Sequence, residues 1–126
     1  MTHISYAQDI QEIYEHILYE DIEQSDRSHL FYKMTVGARY FTGREHLTVK
    51  VLADRYDSDP DVYISRINNY PKDSSTSEYY CEKEGSETCI VKWLDFDLGD
   101  TFYIGVGCRR DCHYKLKVYY AAETLL

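Results

Sequence analysis

Asp54, Asp57, Asp59 and Asp61 crowd one short stretch, and the last three alternate with other residues. Calcium takes roughly six to eight oxygen ligands, several of them carboxylates, from a flexible loop. Asp57, Asp59 and Asp61 are therefore a candidate calcium set. Clustered carboxylates repel one another, and a bound cation would relieve that repulsion. The stretch lacks the glycine and terminal glutamate of an EF-hand loop. Asp95, Asp97 and Asp100 form a second acidic group at another loop. The competing reading for both groups is a solvated acidic loop.

Cys81, Cys89, Cys108 and Cys112 are even in number and close in sequence. The local pairing is Cys81–Cys89 with Cys108–Cys112. A four-thiolate zinc site and free thiols compete with it. Structural zinc sites favour ligands about two to four residues apart. Cys108 to Cys112 fits a knuckle, but Cys81 to Cys89 is too long. Disulfides are the favoured reading, and they imply the cell exterior or the secretory lumen.

The other reactive types point away from catalysis. His3, His16, His29, His46 and His113 are scattered, in no tight ligand pattern. His46 and His113 fall on the outward phase of their strands and read as surface residues. A nucleophile needs a base and an orienting group beside it. No Gly-x-Ser-x-Gly elbow, Gly-x-Gly-x-x-Gly turn or phosphate loop occurs. The expectation is a protein that is not an enzyme. Tyr63, Trp93, Tyr103, Arg109 and Arg110 are instead candidate contact residues. Aromatic rings and arginines anchor interfaces, and Arg109-Arg110 is the one compact basic pair, at an expected hairpin tip. Core packing is the competing reading for Trp93, and a solvated loop for the arginines.

The elements that must position these residues are strands. The chain has 126 residues, enough for one domain, and 14 of them are tyrosine, a residue that favours sheets with half-buried faces. A formal charge of −8 argues against nucleic acid and anionic membrane surfaces as partners. No apolar run approaches the ~20 residues that span a bilayer. Met1-Thr2-His3 lacks the basic start and apolar core of a signal peptide. An extracellular chain is then expected to have lost its signal, with Met1 not its natural start.

Alternation with a period of two marks the strands. Leu30, Tyr32, Met34 and Val36 share one face; Leu47, Val49 and Val51 share another. Gly37 and Gly43 bracket the link between them, which predicts a hairpin. Val62 and Ile64 alternate with Asp61, Tyr63 and Ser65. A polar loop, expected to be mobile, runs from Asn68 to Glu78. Residues 79–82 and 88–94 form a second expected hairpin, closed by Cys81–Cys89. Phe102, Ile104 and Val106, then Tyr114, Leu116, Val118 and Tyr120, form a third, stapled at its tip by Cys108–Cys112. Ile10, Ile13, Tyr14, Ile17 and Leu18 have helical spacing. A short helix or irregular arm is expected over 7–14, then a strand near 16–23. The count is about eight strands. The expected architecture is an all-β, two-sheet antiparallel β-sandwich with a short N-terminal helix or arm. The expected division is an arm over 1–15 and a sandwich over 16–122.

Three motifs carry a resemblance. They are Ser58-Asp59-Pro60-Asp61-Val62-Tyr63-Ile64-Ser65, Gly99-Asp100-Thr101-Phe102-Tyr103-Ile104-Gly105-Val106 and Cys112-His113-Tyr114-Lys115-Leu116-Lys117-Val118. Their order resembles bacterial pre-peptidase C-terminal (PPC) domains and their eukaryotic relatives. His29 to Val36 is similar to the family's early strand, and the resemblance covers roughly residues 17–120. It implies a jelly-roll-like sandwich serving as an accessory module on secreted proteases and surface proteins. Some members bind matrix proteins or polysaccharide, and some bind calcium. The cysteine pairs depart from many bacterial members and put collagen in doubt as a ligand here. They suit the ectodomain of a eukaryotic surface protein.

The functional expectation is a non-catalytic extracellular binding or adhesion module of a larger membrane-anchored or secreted protein. Its partner would be a protein or glycan on a cell surface or in matrix, besides other domains of the same polypeptide. A structural spacer and a calcium-responsive module that sets domain orientation are the alternatives.

Overall fold

A computed structural model describes residues 9–37 and 44–122 of the chain. Nine strands occur among them: β1 (Ile10–Glu12), β2 (Leu18–Gln24), β3 (His29–Thr35), β4 (Glu45–Ala53), β5 (Pro60–Ser65), β6 (Tyr79–Cys81), β7 (Glu87–Val91), β8 (Thr101–Cys108) and β9 (Cys112–Ala122). They make two sheets, one ordered β1-β3-β8-β5-β6 and the other β2-β9-β4-β7. The all-β sandwich expected from the alternation is the fold. Leu47, Val49 and Val51 of one sheet, with Val62, Ile64, Phe102, Ile104 and Val106 of the other, lie wholly inside. Their burial between two inner faces is the driving force for stacking the sheets.

The three expected hairpins are not hairpins. β3 and β4 lie in different sheets, and so do β6 and β7, and β8 and β9. Alternation and turn residues mark where strands begin and end. They do not say whether the next strand pairs with the last or crosses the core to face it. Cys81–Cys89 therefore joins the edge strands β6 and β7 of opposite sheets, and Cys108–Cys112 closes the corner where β8 hands over to β9. Their Cα separations are 5.7 and 6.0 Å. Gly43 lies outside the described residues.

The N-terminal stretch takes no helix among its described residues. Ile10–Glu12 pairs in parallel with Phe31–Lys33, and the Ile13 amide donates to the Lys33 carbonyl at 2.8 Å. Sheet pairing and the burial of Ile13 override the helical spacing. Residues 1–8 of the expected arm, His3 included, lie outside the described residues.

The 68–78 loop is pinned along its length. Ser65 Oγ accepts from the Ile67 and Asn68 amides, and Asn68 Oδ1 accepts from the Tyr70 amide. Asp73 caps a short 3₁₀ turn, Ser74–Thr76, in a reciprocal capping box. Pro71 is buried against β8, so the loop is a cover for the first sheet's outer face.

Candidate functional site

The chemistry-bearing residues gather at one end of the sandwich, around the start of β5. Asp59-Pro60 launches that strand as the sequence predicts: proline fixes its own φ and restrains the residue before it. The loop ahead of it is tied down. The Asp54 amide donates to the His113 carbonyl at 2.8 Å, and the buried Ser58 hydroxyl accepts from the His113 amide at 3.0 Å. Across from it, two carboxylates hold the turn between β6 and β7. Asp59 Oδ1 accepts from the Gly85 amide, and Glu87 Oε2 from the Lys83 amide. Gly85 stands at φ +84, where a side chain would be strained.

Between these loops opens a groove of about 500 Å³. Asp57, Asp59, Glu82 and Glu84 line it, and Arg109 and Arg110 on the β8–β9 turn close its far side. The structure thus brings together Asp57, Asp59, Arg109 and Arg110, four residues singled out in sequence for separate reasons.

Asp61 does not line the groove with them. It lies on the first sheet's outer face, almost wholly buried, with Oδ2 at 3.7 Å from Arg109 Nε. Burial, then the neighbouring Asp59 carboxylate, push its pKa up to about 6, Arg109 pulling the other way. Among the described residues no three His, Cys, Asp or Glu side chains gather as a metal-ligand set. In the second acidic group, Asp100 Oδ2 accepts from the Asp97 amide and faces Arg66, while Asp95 accepts from the Tyr79 hydroxyl.

The candidate aromatics divide. Tyr63 is not an exposed ring: it is buried, and its hydroxyl donates to Glu82 at 2.7 Å. Burial holds its phenol above the ordinary tyrosine range. Trp93 is not on a strand, because β7 ends at Val91. It sits in the short 3₁₀ turn Trp93–Asp95, half-buried against the core. Its amide donates to Nδ1 of His46, which is buried rather than on the surface. Tyr103 is half-exposed, in register with Lys33 and Ser65, away from the groove. His113 stands between Asp21 and Asp54, its ring nitrogens at 2.6 and 3.2 Å from their carboxylates.

Sequence reasoning missed Glu82, Glu84, Arg27, His29 and Lys72 around this end. The available signal was Gly105-Val106-Gly107, two glycines on the outward phase of a strand, which marks a place where something approaches the backbone closely.

No family model matches the chain, and no curated protein matches it in sequence. Among solved structures, the pre-peptidase C-terminal domain of a collagenase from Bacillus anthracis is similar, at a TM-score of 0.55 and 15% sequence identity. The match covers 91% of this chain and 99% of that one. With both sheets and their order now described, the chain carries the fold of a pre-peptidase C-terminal domain.

Proposed function

We propose that this chain is a non-catalytic extracellular module of a larger secreted or membrane-anchored protein, and that it binds a protein partner through the groove beside β5. The groove is the observation that carries the reading. Its acidic wall, Asp57, Asp59, Glu82 and Glu84, suits a basic segment, and Arg109 and Arg110 opposite fix that segment's direction through its carbonyls or an acidic neighbour. Paired cysteines support life in an oxidising compartment. A non-catalytic role is supported by the state of the nucleophile candidates: Ser58, in the groove, is buried and accepts from the His113 amide, and the cysteines, outside it, are paired with each other.

A lysine-rich decapeptide titrated into the oxidised protein, followed by amide NMR, tests the reading. Shifts at Asp57, Glu84 and Gly85 that vanish in an Asp57→Lys/Glu84→Lys variant are expected. A peptide that perturbs no groove residue, or binds the double variant equally well, overturns it.

A further inference from the structure

The first sheet's outer face carries a second concavity, and its floor is glycine. On the central strand β8, Gly107 lies in register between His29 of β3 and Asp61 of β5, and Gly105 lies between Phe31 and Tyr63. At Gly105 the trough is filled. The Pro71 carbonyl occupies the place of a Cβ, and the Tyr70 ring meets Phe31 edge-on at 5.2 Å. At Gly107 the His29 ring lies across the glycine: a Cβ would stand 2.7 Å from His29 Nε2, which is 3.2 Å from the Lys72 carbonyl. Beside that ring is a cleft of about 280 Å³ lined by His29, Asp61 and Tyr63, with Arg27, Lys72 and Arg109 at its rim.

Three features define its occupant. First, the rim is cationic on a chain of net charge −8, and the side chains of Arg27 and Lys72 make no ion pair among the described residues. Arg27 is held at φ +58, where glycine or asparagine would be the cheaper residue. Its amide is fixed to the Cys108 carbonyl at 2.8 Å. Second, Asp61 lines the cleft, and its buried Oδ1 has no hydrogen-bond partner. Such an acceptor is costly until a donor meets it. Third, the His29 ring, with the buried Tyr63 ring 6.4 Å from it between centroids, gives the cleft one apolar side.

A ligand that answers all three has a negative charge, a hydroxyl donor and a compact ring. We propose that the cleft binds an acidic sugar, carboxylated or sulfated, at the end of a glycan. The charge sits among Arg27, Lys72 and Arg109, a ring hydroxyl donates to the Asp61 carboxylate, and the sugar's apolar face lies against the His29 ring. The overall negative charge opposes long polyanions, which limits the occupant to a single acidic residue. This site is separate from the groove and goes beyond the protein-binding reading, sharing only Arg109 with it.

Amide NMR titration of the oxidised protein tests the proposal. The probes are methyl glycosides of a sialic acid, of glucuronic acid and of a sulfated glucosamine, beside methyl glucoside and inorganic sulfate. At least one acidic sugar is expected to shift Gly107 and His29 with a Kd of about a millimolar. Whether the carboxylated or the sulfated arm responds identifies the acid. Methyl glucoside leaves both signals in place, and inorganic sulfate binds about tenfold more weakly. The exposed pair Arg27→Glu/Lys72→Glu loses about tenfold or more in affinity, while Glu84→Lys, in the groove alone, changes nothing. Silence of every acidic sugar at tens of millimolar overturns the proposal. So does equal binding of the neutral sugar or of bare sulfate, or unchanged affinity in the double variant when its spectrum reports a native fold.

Discussion

The hydroxyl of Tyr32 lies 2.9 Å from the hydroxyl of Tyr114, and that bond joins the two sheets through the core. Tyr114 in turn donates to Gln24 Oε1 at 2.9 Å, which leaves Tyr32 as donor in the first bond. Gln24 Nε2 then donates to the Val106 and Ser28 carbonyls. Burial holds both phenols above the ordinary tyrosine range, so they stay neutral. Removing the middle member orphans both neighbours. Tyr114→Phe is expected to cost about 1–3 kcal/mol and Tyr32→Phe less. Urea denaturation checks this: the midpoint falls with no change in slope.

Two buried carboxylates give stability a pH dependence. Burial is the largest effect on each, lifting Asp61 to about 6 and Glu87 to about 7, with neighbouring acids adding to the rise. Glu87 is wholly inside, and its Oε1 has no hydrogen-bond partner. A folded-state pKa above the unfolded value favours the folded state fully below the unfolded value. That gain is lost as pH rises through the folded value. The two groups therefore weaken the fold as pH climbs from about 4 to about 7. Glu87→Gln is expected to raise Tm near pH 8 and to change it little near pH 4, when melts of variant and parent are compared at each pH.

Both disulfides tie one sheet to the other, so their loss should loosen the sandwich as a whole. The sequence separations are 8 and 4 residues. Loop-closure entropy for such short loops is roughly 2–3 kcal/mol each. Cys81→Ser/Cys89→Ser and Cys108→Ser/Cys112→Ser are each expected to lower the urea midpoint, and reduction of the parent to lower it further than either. A parent whose midpoint is unmoved by reductant would contradict this.

Two glycines should respond differently to alanine. At Gly105 the Pro71 carbonyl already fills the space, so Gly105→Ala must displace the loop over the sheet. Hydrogen exchange should then show lost protection at the Tyr70 and Lys72 amides while β3 and β8 keep theirs. At Gly85 nothing lies within 4 Å, but φ is +84. Gly85→Ala is expected to cost only about 1 kcal/mol, all of it backbone strain.

Strands, core faces and cysteine partners were legible in the sequence because each rests on local pattern or spacing. Leu47, Val49 and Val51 alternate, and they are buried. Sheet membership was not legible, since Cys108–Cys112 closes a hairpin tip and an inter-sheet corner equally well. The outward phase also misled. Tyr63, Asp61 and Phe31 point away from the core yet are buried; over Phe31 the Tyr70 ring folds in from a loop distant in sequence. The groove was half legible. Its aspartates and arginines stand out by type, but Asp57 and Arg109 are distant in sequence, and only the fold makes them neighbours.

The order of strands also says when this chain can fold. Seven of the eight links between consecutive strands pass from one sheet to the other; only β5 and β6 are partners in sequence and in space. β9, last in sequence of the nine described strands, lies between β2 and β4 in its sheet. Until it leaves the ribosome, β2 and β4 have no common partner and the second sheet is two fragments. Synthesis must reach about the end of β9 before the sandwich closes. The nascent chain would meanwhile hold its apolar strands and four thiols unshielded, a state in which assistance and oxidation matter most.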